Sequence, residues 1–192
     1  MAATLTVTVK DKDGKLVADA VVYLEGKAAI SKRHPASLEI AQKDKKFLPL
    51  VSVAQVGSSI SFPNRDEVQH QVYSFSPVKR FELKLYAGTP SNPIIFDKAG
   101  TVALGCNIHD SMLAYILIVD TPLFGKTDAQ GKFVFKDITE GEYTVKTWHF
   151  QLPNELATKP QQVDIKNTME LTLALPFKAK EWSVPKSENP YY

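Results

Sequence analysis

Cys106-Asn107-Ile108-His109-Asp110-Ser111-Met112 places a thiol, an imidazole and a thioether within seven residues, between two β-patterned runs, Gly100 to Leu104 and Met112 to Val119. A soft thiolate, borderline imidazoles and a weak thioether form the donor set of a blue-copper site. Cysteinate binds Cu(II) and tolerates Cu(I), imidazole serves both states, and the thioether favours Cu(I). A trigonal Cys-His-His plane with a weak axial Met changes little between the two states. That plane needs a second histidine from elsewhere. His70 is the candidate, 36 positions before Cys106, in Phe62-Pro63-Asn64-Arg65-Asp66-Glu67-Val68-Gln69-His70. An antiparallel strand pair can bridge that much chain. Cys-x2-His alone is a weak signal. Adding the Met and the upstream Phe-x-Asn-x-Asp-x-x-x-His makes it strong. Taken singly, Cys106 reads as a small buried hydrophobe and Met112 as the first core residue of an apolar strand. The donor set also accepts zinc.

Working outward, short alternating runs recur along the chain. Leu5 to Val9 alternates, Asp11-Lys12-Asp13-Gly14 supplies a turn, and Val17 to Leu24 follows, which together read as a hairpin. Val51 to Phe62 predicts two strands broken by Gly57. Val68 to Phe75 and Phe81 to Tyr86 predict two more. Lys132 to Phe135 and Tyr143 to His149 read as a second hairpin-like pair around Thr139-Glu140-Gly141-Glu142. Val163 to Ile165 and Leu171 to Leu175 close the pattern. Helical periodicity is scarce, with short turns predicted at Ala36 to Gln42 and Leu152 to Thr158. The 12 prolines and 9 glycines are spread throughout. Many short strands with regular turns predict an all-β fold of sandwich or barrel type. Residues 1–28 and 123–176 read as halves of one unit, residues 45–122 as a domain inserted between them, and residues 177–192 as a tail.

Hydrophobic residues make up 44% and charged residues 23% of the 192-residue chain, ordinary values for a packed protein. A net charge of +2 is too weak to predict nucleic acid or an anionic membrane as partner. No run approaches the roughly 20 apolar residues of a membrane helix. Met1-Ala2-Ala3 leads straight into a strand pattern, compatible with a removed export signal and with a cytosolic start alike. One cysteine permits no disulfide within the chain. There is no phosphate loop, His-Glu-x-x-His motif or nucleophile elbow.

The central segment resembles the cupredoxin family over about 75 residues: Phe47-x-Pro49, Gly57-x-x-Ile60-x-Phe62-x-Asn64-x-Asp66-x-x-x-His70-x-Val72, Phe96-Asp97-Lys98-Ala99-Gly100 and Gly105-Cys106-x-x-His109-x-x-Met112. The short ligand loop looks most like amicyanin-type and methylamine-utilisation-associated cupredoxins. Leu5 to Gly26 and Gly125 to Trp148 resemble the carboxypeptidase regulatory-like (transthyretin-like) β-sandwich. The resemblance implies a Greek-key copper domain inserted into that sandwich, export to the periplasm, one type 1 copper and one-electron exchange with a redox protein partner. It implies His70 as the buried ligand, Cys106 as the covalent ligand, His109 as the loop ligand near the surface and Met112 as the axial ligand. Four filled positions leave none for substrate, so no catalytic residues are expected. A copper-delivery protein and an interaction module docking on a larger redox system are the alternative functions.

Two positions depart from the family pattern. Gln71 follows the first histidine where Asn is frequent, and Ile108 precedes the loop histidine where Pro is frequent. Outer contacts set ligand orientation and tuning, so these residues, with Asn64 and Asp110, are the candidates for contacts around the ligands or for docking. Asp110 reads more readily as a solvated loop acid than as a base or partner contact. His34, in a polar loop, and His149, at a strand end, are read as structural, with a contact around the ligands or at an interface as the alternative for His149. Trp148, Trp182, Tyr191 and Tyr192 are candidate interface anchors. Asp11-x-Asp13-Gly14 and Asp128-x-x-Gly131 lack a calcium loop's ligands and are read as turns.

Overall fold

A computed structural model describes residues 2–26, 35–109, 111–153, 156 and 158–181. His34, Asp110, Trp182, Tyr191 and Tyr192 lie outside the described residues. The fold is all-β: seventeen strands and no helix among the described residues. The described parts of 1–33 and 121–181 form one compact unit, and those of 34–120 form another.

The first unit contains β1 (Ala2–Lys10), β2 (Val21–Glu25), β13 (Phe124–Lys126), β14 (Lys132–Thr139), β15 (Gly141–Trp148), β16 (Gln161–Ile165) and β17 (Thr168–Ala174). Strict alternation on β1 buries Leu5, Val7 and Val9 while Thr4, Thr6 and Thr8 face outward. β14-β1-β17 form one sheet and β13-β2-β15-β16 another. One core serves both, with Leu5, Val22, Leu24, Tyr143, Val145, Ile165 and Leu173 buried in it. Each fully buried Leu or Val contributes roughly 1.5–3 kcal/mol of transfer free energy.

Neither predicted hairpin forms as such. The end of β1 meets the segment before β2 through the Lys10–Leu16 bridge and a Val17 N–H to Val9 carbonyl bond, but β1 and β2 lie in different sheets. β14 and β15 also part, at a corner where Gly141 takes φ +146° and buried Tyr143 donates its hydroxyl to the Thr139 carbonyl at 2.6 Å. The two turns form as read. Asp11 Oδ1 accepts the N–H groups of Asp13 and Lys15, and Asp128 Oδ1 those of Gln130 and Lys132, all at 2.9 Å.

The second unit contains β3 (Ser37–Glu39), β4 (Ala41–Lys43), β5 (Lys46–Leu48), β6 (Val51–Gln55), β7 (Ser59–Ser61), β8 (His70–Ser74), β9 (Phe81–Tyr86), β10 (Ile94–Ile95), β11 (Gly100–Gly105) and β12 (Leu113–Val119). Its main sheet has the order β6-β12-β11-β8-β9, and β10-β7-β3 and β4-β5 form smaller ones. The segment predicted as a helical turn, Ala36 to Gln42, is instead two short strands. Its local pattern is Ser37-Leu38-Glu39-Ile40, and this period of two places Ile40 in the core and Leu38 against it. The core also buries Phe47, Ile60, Phe62, Val72, Phe96, Leu104, Ile116 and Ile118, with Cys106 and Met112 among them.

Candidate metal centre

The antiparallel β11–β12 pair ends at Gly105 opposite Leu113, so residues 106–112 are the loop that joins them. β8 lies on the other side of β11, antiparallel, with Tyr73 opposite Gly105. That register runs β8 back toward its first residue, His70, at the sheet end that carries the loop. The far end of the Tyr73 ring lies so close to Gly105 that a Cβ there would sit 2.6 Å from it, so any larger residue before Cys106 would displace that ring.

The three residues meet. A ring nitrogen of His70, a ring nitrogen of His109 and the Cys106 sulfur all lie within 4.8 Å of one another. The two imidazole centroids are 5.1 Å apart, edge to face at 63°. His70 is fully buried, Cys106 is buried and free, and His109 is half-buried. Met112 is fully buried in the same apolar cluster, and its N–H donates to the His109 carbonyl at 2.9 Å, closing the loop on itself.

Asp66, a motif position to which the sequence assigned no role, holds His70. Its Oδ2 lies 2.7 Å from His70 Nε2. The same carboxylate accepts the Asp44 N–H on Oδ1 at 2.7 Å and the Lys45 N–H on Oδ2 at 2.9 Å. Those two amides belong to the tight β4–β5 turn, where Asp44 and Lys45 both have left-handed φ near +53° and +54°. Burial pushes the Asp66 carboxyl up, but the hydrogen bonds from Lys45, His70 and Asp44 outweigh it and hold the group below the usual carboxylate range. An ionised Asp66 accepts only, so His70 Nε2 carries the proton. His70 Nδ1 is buried and without a hydrogen-bond partner among the described residues, so an N–H there would have no acceptor and the ring proton belongs on Nε2. A buried nitrogen of this kind is costly unless something fills it. Burial, then the neighbouring His70 and Lys45, lowers the His109 pKa against an opposing pull from Asp66. His109 is thus neutral near pH 7. Two imidazoles and a thiol fit a soft, thiolate-binding metal.

Asn64 braces the loop that carries Asp66. Its amide donates to the Val68 and Tyr86 carbonyls at 2.9 Å each and accepts the Asp66 N–H at 3.0 Å. Gln71 donates to the Glu82 carboxylate on β9. Ile108 packs half-buried against the core. Tyr86 gives its hydroxyl to the Phe62 carbonyl and accepts from Gln42. Burial pushes its pKa up to about 12. The sequence signal for Asp66 is its motif place four residues before His70. Its backbone partners come from the β4–β5 turn, which no local motif announces.

His149 lies in the other unit. It is buried, stacks on Phe150 and Phe177, and accepts the Gln151 N–H on Nδ1 at 3.2 Å.

No protein-family model matches the chain, and no curated protein matches it. Solved structures similar to it include a Cu-containing nitrite reductase from Thermus scotoductus SA-01, at 20% identity and TM-score 0.40 over 46% of this chain and 23% of that one. A purple cupredoxin from Nitrosopumilus maritimus is similar at 16% identity and TM-score 0.38, over 42% of this chain and 98% of that one. Amicyanin from Paracoccus versutus is similar at 14% identity and TM-score 0.37, over 51% of this chain and 97% of that one. The chain thus spans under a quarter of the nitrite reductase and nearly all of the other two.

Proposed function

We propose that the second unit is a cupredoxin-type copper domain working as a one-electron carrier. Cys106, His70 and His109 would hold the copper, with Met112 as a weaker fourth donor. The observation that carries this reading is the convergence of one thiol and two imidazoles within 4.8 Å, with a buried bare nitrogen on His70. A copper ion held there would supply Cu(II)/Cu(I) cycling. The protein's own part is to fix His70 through Asp66 and to enclose Cys106 and Met112 in an apolar shell that excludes water. Outer hydrogen bonds and solvent exclusion both tune such a centre. The half-buried His109 is the ligand nearest solvent and hence the contact point for a redox protein partner. The transthyretin-like scaffold and the periplasmic setting rest on the sequence resemblance.

The test is one equivalent of Cu(II) followed by visible and electron paramagnetic resonance spectroscopy, on wild type and Cys106→Ser. An intense thiolate-to-copper band, lost in the variant, is expected. A colourless protein whose copper passes readily to a chelator would replace electron transfer with copper delivery.

A further inference from the structure

We infer that Asp66 is the positioning residue of this centre: held by the turn of the β4–β5 hairpin, it fixes His70 as the single tautomer with Nδ1 bare. The inference deepens the copper reading and rests on it for its metal readouts.

Three observations carry it. The carboxylate receives three donors from three directions: the Asp44 N–H, the Lys45 N–H and His70 Nε2. Both amide donors sit in a two-residue left-handed turn, so their direction is set by backbone geometry and not by a flexible side chain. The segment bearing Asp66 is then locked against the same hairpin. The Gln42 N–H donates to the Pro63 carbonyl and the Arg65 N–H to the Gln42 carbonyl, both at 2.8 Å. Asn64 supplies the remaining brace through Val68, Tyr86 and the Asp66 N–H. A sideways shift of the hairpin therefore moves Asp66, and Asp66 moves or releases the His70 ring.

An imidazole has two tautomers, and the partner of one nitrogen decides which lone pair is left for a metal. An acceptor-only carboxylate at Nε2 leaves Nδ1. Charge adds a second effect. An anion next to a ligand stabilises Cu(II) over Cu(I), so Asp66 lowers the reduction potential. The outer edge of Asp66 borders an open depression lined by Lys43, Asp44, Lys45, Glu67 and Val68. An isosteric amide there leaves no enclosed void, so Asp66→Asn is expected to fold.

The first experiment needs no metal. Nitrogen NMR of the His70 ring in the metal-free wild type is expected to show protonated Nε2 and bare Nδ1. In Asp66→Asn one amide oxygen faces three donors, so both tautomers are expected. Copper loading then gives the second readout. Asp66→Asn should bind copper about 10–100-fold more weakly, raise the reduction potential and alter the copper hyperfine splitting. A wild-type His70 protonated on Nδ1 overturns the inference, as does an Asp66→Asn protein with unchanged tautomer, affinity and potential. A wild type with the expected tautomer but no copper–thiolate band would leave Asp66 positioning His70 and sink the copper reading instead.

Discussion

The two units each bury a histidine, and the two are buried differently. His149 has its polar atoms occupied: Nδ1 accepts the Gln151 N–H, a further hydrogen bond joins it to the Ala18 backbone, and two phenyl rings cover its faces. His70 is occupied on one nitrogen only. Asp66 takes Nε2, and Nδ1 remains buried and bare among the described residues, beside a thiol and a second imidazole. Burial alone therefore does not mark a ligand. A fully paired imidazole is part of the packing, whereas a bare one converging with other donors is a site waiting for a partner.

The largest effect that sharpens this contrast is at Cys106. Cys106→Ser should abolish the copper–thiolate band and weaken copper binding by more than the roughly 100-fold typical of losing an outer contact. A competition titration measures it. His149→Leu should leave both band and affinity unchanged.

Protonation gives the second. Burial lowers the His149 pKa from 6.5 to about 4, against smaller opposing effects from the Ala18 backbone and Asp19. The unfolded chain therefore takes up a proton near 6.5 while the folded one resists until about 4. Stability falls as pH drops through that window, by at most about 3 kcal/mol, and is unaffected above it. Denaturant melts of the metal-free protein from pH 7 to 4 should show this loss. In His149→Leu that share of the pH dependence should disappear.

At neutral pH the comparison takes a third form. His149→Leu removes two hydrogen bonds, to the half-buried Gln151 N–H and to the Ala18 backbone, and should cost about 1–3 kcal/mol. His70→Leu removes a nitrogen that was already unpaired and leaves Asp66 its two amide donors. Its cost in the metal-free protein should be smaller. With copper bound the order should reverse, because ligand binding adds stability only where the site is intact. Thermal melts with and without metal decide it. An equal cost for both substitutions without metal would break the distinction drawn here.

Surface charge supplies the smallest effect. Lys146 and Glu25 pair at 2.7 Å but are both substantially exposed. Lys146→Ala should change stability by under about 1 kcal/mol, and less at high salt.

Much of this was legible in the sequence, for identifiable reasons. The Cys106-x2-His109-x2-Met112 loop is legible because its donors are chemically distinctive and close in sequence. His70 needed the longer Phe62-to-His70 pattern. The all-β class was legible because Leu5 to Val9 and Phe81 to Tyr86 alternate in the sequence itself. Strand partnership was not. Alternation reports which face a residue takes, and β1 reads the same whether it pairs with β2 or, as found, with β14 and β17. The role of Asp66, as distinct from its place in the motif, escaped for a similar reason. Its role depends on two backbone amides some twenty residues away, and backbone groups leave no signature in side-chain chemistry.

The most direct measurement is pulsed electron paramagnetic resonance of the copper-loaded protein, reading the remote nitrogens of coordinated imidazoles. Two such imidazoles are expected in wild type and in His149→Leu, and one in His70→Gln. A His70→Gln spectrum identical to wild type would show that the bare nitrogen of His70 is not a ligand and would contradict the centre described here.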